Sequence, residues 1–298
     1  MKVYKNATIL IPVILVLIFL IWISFDRKVD NNTNNEIYGY HSAIFFEEKT
    51  FFDEILRLVD KKEIEGFVLG GVIPHHLLAS DIITGFFSNI PNNQLIERVV
   101  LIGPNHYELG DSIFITSRYI WETPVGNVSP DLKLIDKLNN SGLDLEINED
   151  VMEQEHSMGG IMPFISHYLP NASVVPISIS NRSNLSDIEN LALILTEEVN
   201  NKKTIFISSV DFSHYLSLVE AEENDKKILE ILKNGDMETL LELDEDYVDS
   251  PESLALLLLL MNNQGITSFK VRDHKNSADY TNETEAETTS YYSFMFIK

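Results

Sequence analysis

From residue 65 onward the chain alternates short, β-branched apolar runs with longer stretches carrying apolar residues every three or four positions. That alternation confines it to a layered α/β domain. Six runs end at turn residues, as buried strands do: Glu65–Pro74 (EGFVLGGVIP), Glu97–Gly103 (ERVVLIG), Ser112–Thr116 (SIFIT), Ala172–Ser178 (ASVVPIS), Thr204–Ser209 (TIFISS) and the aromatic-rich Thr288–Ile297 (TTSYYSFMFI). Helical spacing occupies Thr50–Leu58, Asp131–Leu138, Ser186–Val199 and Glu220–Leu232. Ser253–Met261 (SLALLLLLM) is apolar all round and too short to span a bilayer, which makes it a buried core helix. The expected architecture is a layered, mixed, largely parallel sheet with helices on both faces. No repeat and no second linker interrupt residues 38–298, which read as one domain.

The beginning of the chain reads differently. Lys2 and Lys5 precede an uninterrupted apolar run, Ala7–Phe25, followed by Asp26, Arg27 and Lys28. As a helix such a run spans a hydrocarbon core of roughly 30 Å. It exceeds the about 7–15 apolar residues of a signal peptide, and no small-x-small cleavage site follows it. The expectation is therefore a tail over 1–6, a transmembrane anchor over 7–25 and a polar, Asn-rich tether over 26–37. The membrane becomes a partner, and the positively charged tail places the domain on the extracytoplasmic side of a single-pass protein.

Charge and cysteine content remove whole classes of function. A formal net charge of -24 repels phosphate backbones and argues against nucleic-acid binding. With no cysteine there are no disulfides, thiolate metal sites or thiol nucleophiles, so any metal must rest on His, Asp or Glu.

Three of the strands run into histidine. FVLGGVIP leads to His75-His76, VVLIGPN to His106, and TIFISSVDFS to Asp211 and His214. Ligands of open α/β sheets bind outside the carboxyl ends of strands, so these imidazoles are delivered to one edge. A loop at Glu153–Pro163 adds Glu155 and His156. Neutral imidazole is the commonest metal ligand and also titrates nearest neutral pH. Two histidines and one carboxylate with open positions suit ferrous iron, and the same ligands can hold zinc for hydrolysis. Each residue has a plainer reading: a lone histidine after a strand is more often structural. Asp211 and Ser213 can cap a helix or turn whose first turn carries His214. Ser209 and Ser213 lack the G-x-S-x-G elbow of a serine nucleophile.

Four ordered motifs, Gly71–His75 (GVIPH), Leu101–His106 (LIGPNH), Glu155–Phe164 (EHSMGGIMPF) and Ser208–Tyr215 (SSVDFSHY), resemble the Memo family, whose prokaryotic members are called AmmeMemoRadiSam system protein B. The segment from His274 to Tyr292 resembles the family's closing stretch only loosely. The resemblance implies a fold similar to class III extradiol dioxygenases, non-haem iron enzymes, with a metal in the corresponding cleft. It carries His75 and His106 onto the family's metal-contacting histidines, Asp211 and His214 onto its paired Asp and His, and Glu155 and His156 onto its Glu-His-Ser motif. Where the family often has a cysteine before the late apolar helix, Asp249 stands in DSPESLALL, which would make the ligand set His75, His106 and Asp249. Asp249 or Ser250 could equally cap that helix ahead of Pro251. His76-Leu77-Leu78 replaces a small, Gly-containing stretch, and the anchor is unusual for the family.

Three functions remain open. An oxidoreductase would hold a divalent metal, Fe(II) before Zn, with His156 or His214 moving protons. A metal hydrolase would activate water, with Asp211 and His214 as base and orienter. A non-catalytic module would bind a small molecule or peptide in the cleft.

Overall fold

The structure, a computed structural model, describes residues 39–42, 44–45, 49, 51–53, 64–198, 203–283 and 286–298. Residues Gly39–Lys298 form one compact unit. Its strands are β1 (Tyr40–Ser42), β2 (Val68–Ile73), β3 (Arg98–Pro104), β4 (Phe114–Thr116), β5 (Ile120–Thr123), β6 (Gly126–Val128), β7 (Leu145–Ile147), β8 (Ser173–Ile179), β9 (Thr204–Ser209), β10 (Phe212–Leu216), β11 (Lys270–Asn276) and β12 (Thr288–Ile297). The helices that matter below are α1 (Ser80–Ser88), α2 (Leu132–Asn139), α3 (Glu149–Gln154), α4 (His156–Gly159), α5 (Met162–Tyr168), α6 (Leu185–Glu198), α7 (Leu218–Asn234), α8 (Met237–Leu241), α9 (Pro251–Asn263) and α10 (Ser277–Thr281).

The main sheet runs β10-β12-β2-β9-β3-β8-β4-β7, with β11 paired to β12; β1, β5 and β6 form a small second sheet. Parallel pairing links β2, β9, β3 and β8, the four strands at the centre. Both flanks attach in the opposite sense, β12 against β2 and β4 against β8. The sheet is therefore mixed rather than largely parallel: β4, itself parallel to β7, runs against β8, and β12 runs against β2.

Strand periodicity divides the core into two layers. Along β3, Val99 and Leu101 face one cluster with Phe86, Phe164 and Met158; Val100 and Ile102 face the other, with Leu191, Leu256 and Leu257. Helices thus cover both faces. On β2 the two glycines admit them closely: a Cβ on Gly70 would lie 2.8 Å from Met261 Sδ of α9, and one on Gly71 only 2.2 Å from the Phe86 ring of α1. α9 is buried almost throughout, as its all-round apolar sequence predicts.

The membrane expectation is corrected. No helix among the described residues is long and apolar enough to cross a membrane. The anchor over 7–25 and the tether over 26–37 lie outside the described residues. What the described residues form is accordingly a mixed α/β fold with no membrane-spanning helix among them, and the membrane partner and the single-pass, extracytoplasmic placement lose their support. Most of the helix expected at Thr50–Leu58 also falls outside, with 51–53 alone described as helical.

Candidate metal centre

At the carboxyl edge of β2, β9 and β3 the chain turns three times within a few residues. Pro74 ends β2 and delivers His75; Asn105, whose side chain bonds Leu109 in both directions, turns the chain after β3 and delivers His106. Between them β9 leads to Asp211. The rings of His75 and His106 stand edge to face with centroids 5.0 Å apart. His156 completes the group, 4.9 Å from the His75 ring and stacked at 4.0 Å on that of His106. One nitrogen from each of the three imidazoles lies within 4.8 Å of the others, close enough to hold a metal ion.

The hydrogen bonds turn the rings inward. Buried His75 lies with Nδ1 at 3.2 Å from the Ser209 carbonyl, to which an N–H there donates. His106 Nδ1 is 2.7 Å from Glu155 Oε1, and its backbone N–H donates to the other oxygen of the same carboxylate at 3.0 Å. Both bonds leave Nε2 pointing into the cleft, the arrangement by which a metal-binding histidine is usually oriented. The segment the sequence suggested as a loop is mostly helical, and Glu155 is the single non-helical residue between α3 and α4. It caps α4, accepting from Ser157 N and Ser157 Oγ, and is itself almost wholly buried.

Asp249 comes from the other side. Its Oδ2 lies 3.2 Å from His75 Nε2 and 3.7 Å from His106 Nε2, and it accepts from the Asp211 backbone N–H at 3.1 Å. Its Oδ1 is buried with no hydrogen-bond partner among the described residues. The capping duty belongs to Ser250, whose hydroxyl accepts from Ser253 N at the start of α9 with Pro251 behind it. A carboxylate with one oxygen orphaned and the other facing two imidazole Nε2 atoms is a donor set that fits a divalent cation.

Asp211 does not cap a helix. Its Oδ1 accepts from the His75 backbone N–H at 3.1 Å, and the residues after it form β10. Ser213 and Tyr215 in β10 take left-handed φ angles of 25° and 55°, flanking His214, which lines the same cleft.

Burial holds the His75 imidazole neutral, its pKa down to about 3 despite Asp249. Burial also works against charge on His106, but hydrogen bonds to Asp249 and Glu155 outweigh it and raise that group to about 10. Glu155 shows the converse: burial opposes its charge, yet the bond to His106 brings it to about 2. Burial and then the neighbouring His106 lower His156, and burial raises Asp211 against the pull of His214 and His76. The His106 imidazolium therefore lies between two carboxylates, its Nδ1 proton toward Glu155 and its Nε2 proton toward Asp249, and an incoming cation would displace the latter.

The sequence reading assigned His156 to proton transfer and missed its place within ligand distance. It also missed Glu108 and Glu252, which line the cleft, and the 2.5 Å contact of His76 Nδ1 with Tyr291 Oη. Glu252 follows Pro251 in the first turn of α9, and that position was the available signal.

An α/β sheet with a histidine cluster at its carboxyl edge defines a class of proteins with a potential metal centre. Within that class this chain belongs to the Memo family: the model of the Memo-like protein family matches residues 50–295. A MEMO1 family protein of Caldivirga maquilingensis is 27% identical over 80% of this chain and 86% of its own length. One from Thermotoga neapolitana is 30% identical over 65% of this chain and 70% of its own. The crystal structure of an uncharacterized protein from Escherichia coli K12 shares the fold at a TM-score of 0.50 and 12% identity, over 76% of this chain and 99% of its own.

Proposed function

We propose that the cleft is a mononuclear metal centre in which His75, His106 and Asp249 hold a divalent cation, with ferrous iron suiting the donor set best, and that it serves an oxidoreductase. The observation that carries this reading is the convergence of two Nε2 atoms on Asp249 Oδ2, while each ring's Nδ1 is engaged elsewhere. Two imidazoles and one carboxylate are harder than a set containing thiolate, and closer to the facial triad of non-haem iron enzymes.

When bound, a ferrous ion supplies redox chemistry toward dioxygen and an electron-rich substrate. The chain supplies the rest. Glu155 fixes the His106 ring from behind, and Asp211 fixes the backbone of His75. His214 and His156 border the open side of the cleft, where an imidazole can take a proton from a bound substrate and return it.

The test is element-resolved metal analysis of the purified full chain and of His75→Ala, His106→Ala and Asp249→Ala. Near-stoichiometric iron, lost in all three variants while the fold persists by circular dichroism, is the expected result. Zinc with activity on ester substrates would replace the oxidoreductase by a hydrolase. Retention of metal by Asp249→Ala would move the third ligand to His156.

A further inference from the structure

The cleft in front of the three histidines has a volume of about 1230 Å³. Its described lining contains six carboxylates, Glu108, Asp211, Asp244, Glu245, Asp249 and Glu252, and no Lys or Arg. A divalent cation would cancel two of these charges. Arg182, 3.7 Å from Glu108 Oε2 but outside the lining, cancels one more. At least one remains uncancelled even where burial keeps Asp211 and Glu252 protonated, in a concavity whose low-dielectric walls focus its field.

The placement of the carboxylates is specific. Glu108 adopts a left-handed φ of 48°, and its oxygens accept from Ser180 Oγ at 2.5 Å and Asn181 N at 2.8 Å, so the side chain is held rather than trailing in solvent. Glu252 is 6% exposed, and beyond an internal backbone bond it has a long 3.4 Å contact from Ser250 Oγ. Glu108 and Asp249 both act on it electrostatically. The unpartnered Oδ1 of Asp249 stands at the inner end. At the mouth are two aromatic rings, Tyr107 and Tyr215, 59% and 69% exposed. Phe45, Leu77 and Val248 supply apolar wall.

We infer that the cleft takes an organic cation, a small molecule with an ammonium or amidinium group on an apolar or aromatic body, and rejects carboxylates and phosphates. The inference rests on the reading of this cleft as the substrate site of the metal centre. The cationic group lies between Glu252 and Glu108, with the tyrosine rings offering their faces, and the apolar body extends toward the histidines. A carboxylate in the same place would meet uncompensated like charge.

Isothermal titration of the purified full chain, metal-loaded and after chelation, with phenethylamine, the matching carboxylate hydrocinnamate and neutral phenethyl alcohol tests this. The amine should bind about tenfold or more tighter than the carboxylate, with a margin that shrinks as salt is raised. Glu108→Gln and Glu252→Gln should each weaken the amine by about threefold to tenfold and leave the alcohol unchanged. Equal or tighter binding of the carboxylate, an alcohol that matches the amine, or no measurable amine binding overturns the inference. Metal content read on the same samples separates the two readings. Amine selectivity without metal would sink the metal centre alone, and metal without amine selectivity would sink the cation site alone.

Discussion

At the scale of single residues, Glu252 carries a titration that stability measurements can read. Burial first, and then the charges of Glu108 and Asp249, push its carboxyl up to about 7 from an ordinary 4.5. Between those values the folded chain keeps a proton that the unfolded chain has released, so this group lowers stability as pH rises through that window. Its cost is absent below the unfolded value and complete above about pH 7. In metal-free protein, Glu252→Gln should match the parent near pH 4 and exceed it near pH 8, by up to about 3 kcal/mol. Urea denaturation at the two pH values checks this, and equal stability at both would refute it.

Between elements, the close approach of helices to β2 sets a sharp limit. Gly71→Ala would put a methyl group against the Phe86 ring on α1 and 2.5 Å from the Phe294 carbonyl, which is backbone and cannot yield cheaply. The expected loss is about 1–3 kcal/mol or more, measured as a lowered denaturation midpoint. Much of this architecture was legible. Thr204–Ser209 and Thr288–Ile297 are strands at the bounds the sequence indicates, and α6, α7 and α9 lie where the spacing predicts, because each is apolar at the period its environment demands. α1 escaped notice because SDIITGFFS is buried on nearly every side and shows no contrast between faces. β10 gave no strand signal, since Asp211 and Ser213 are good capping residues for a helix or turn, yet the Asp211 carboxylate accepts from the His75 N–H and the Ser213 hydroxyl donates to Asp225. The histidines were legible because strand ends converge. The arrival of Asp249 from the far side of the chain was suggested only by likeness to relatives, and Glu252 gave no periodic signal at all.

For the whole molecule, a cation that binds the folded chain alone must stabilise it. A metal at about 100 times its dissociation constant would add about 2.7 kcal/mol. Chelation should therefore lower the melting temperature of the parent, and leave His106→Ala, already without its metal, where it was. A parent insensitive to chelator would count against the proposed centre. His75 leaves the sheet from β2, and β2 is bordered on one side by β9 and on the other by β12, with Val72 opposite Phe294. β12 lies far along the chain from β2, so the ribosome must add all the residues between them before that border exists. Until then an apolar strand waits with a bare edge, open to wrong partners. The cleft, whose lining includes Thr289 of β12, is complete only once that strand has been made and paired.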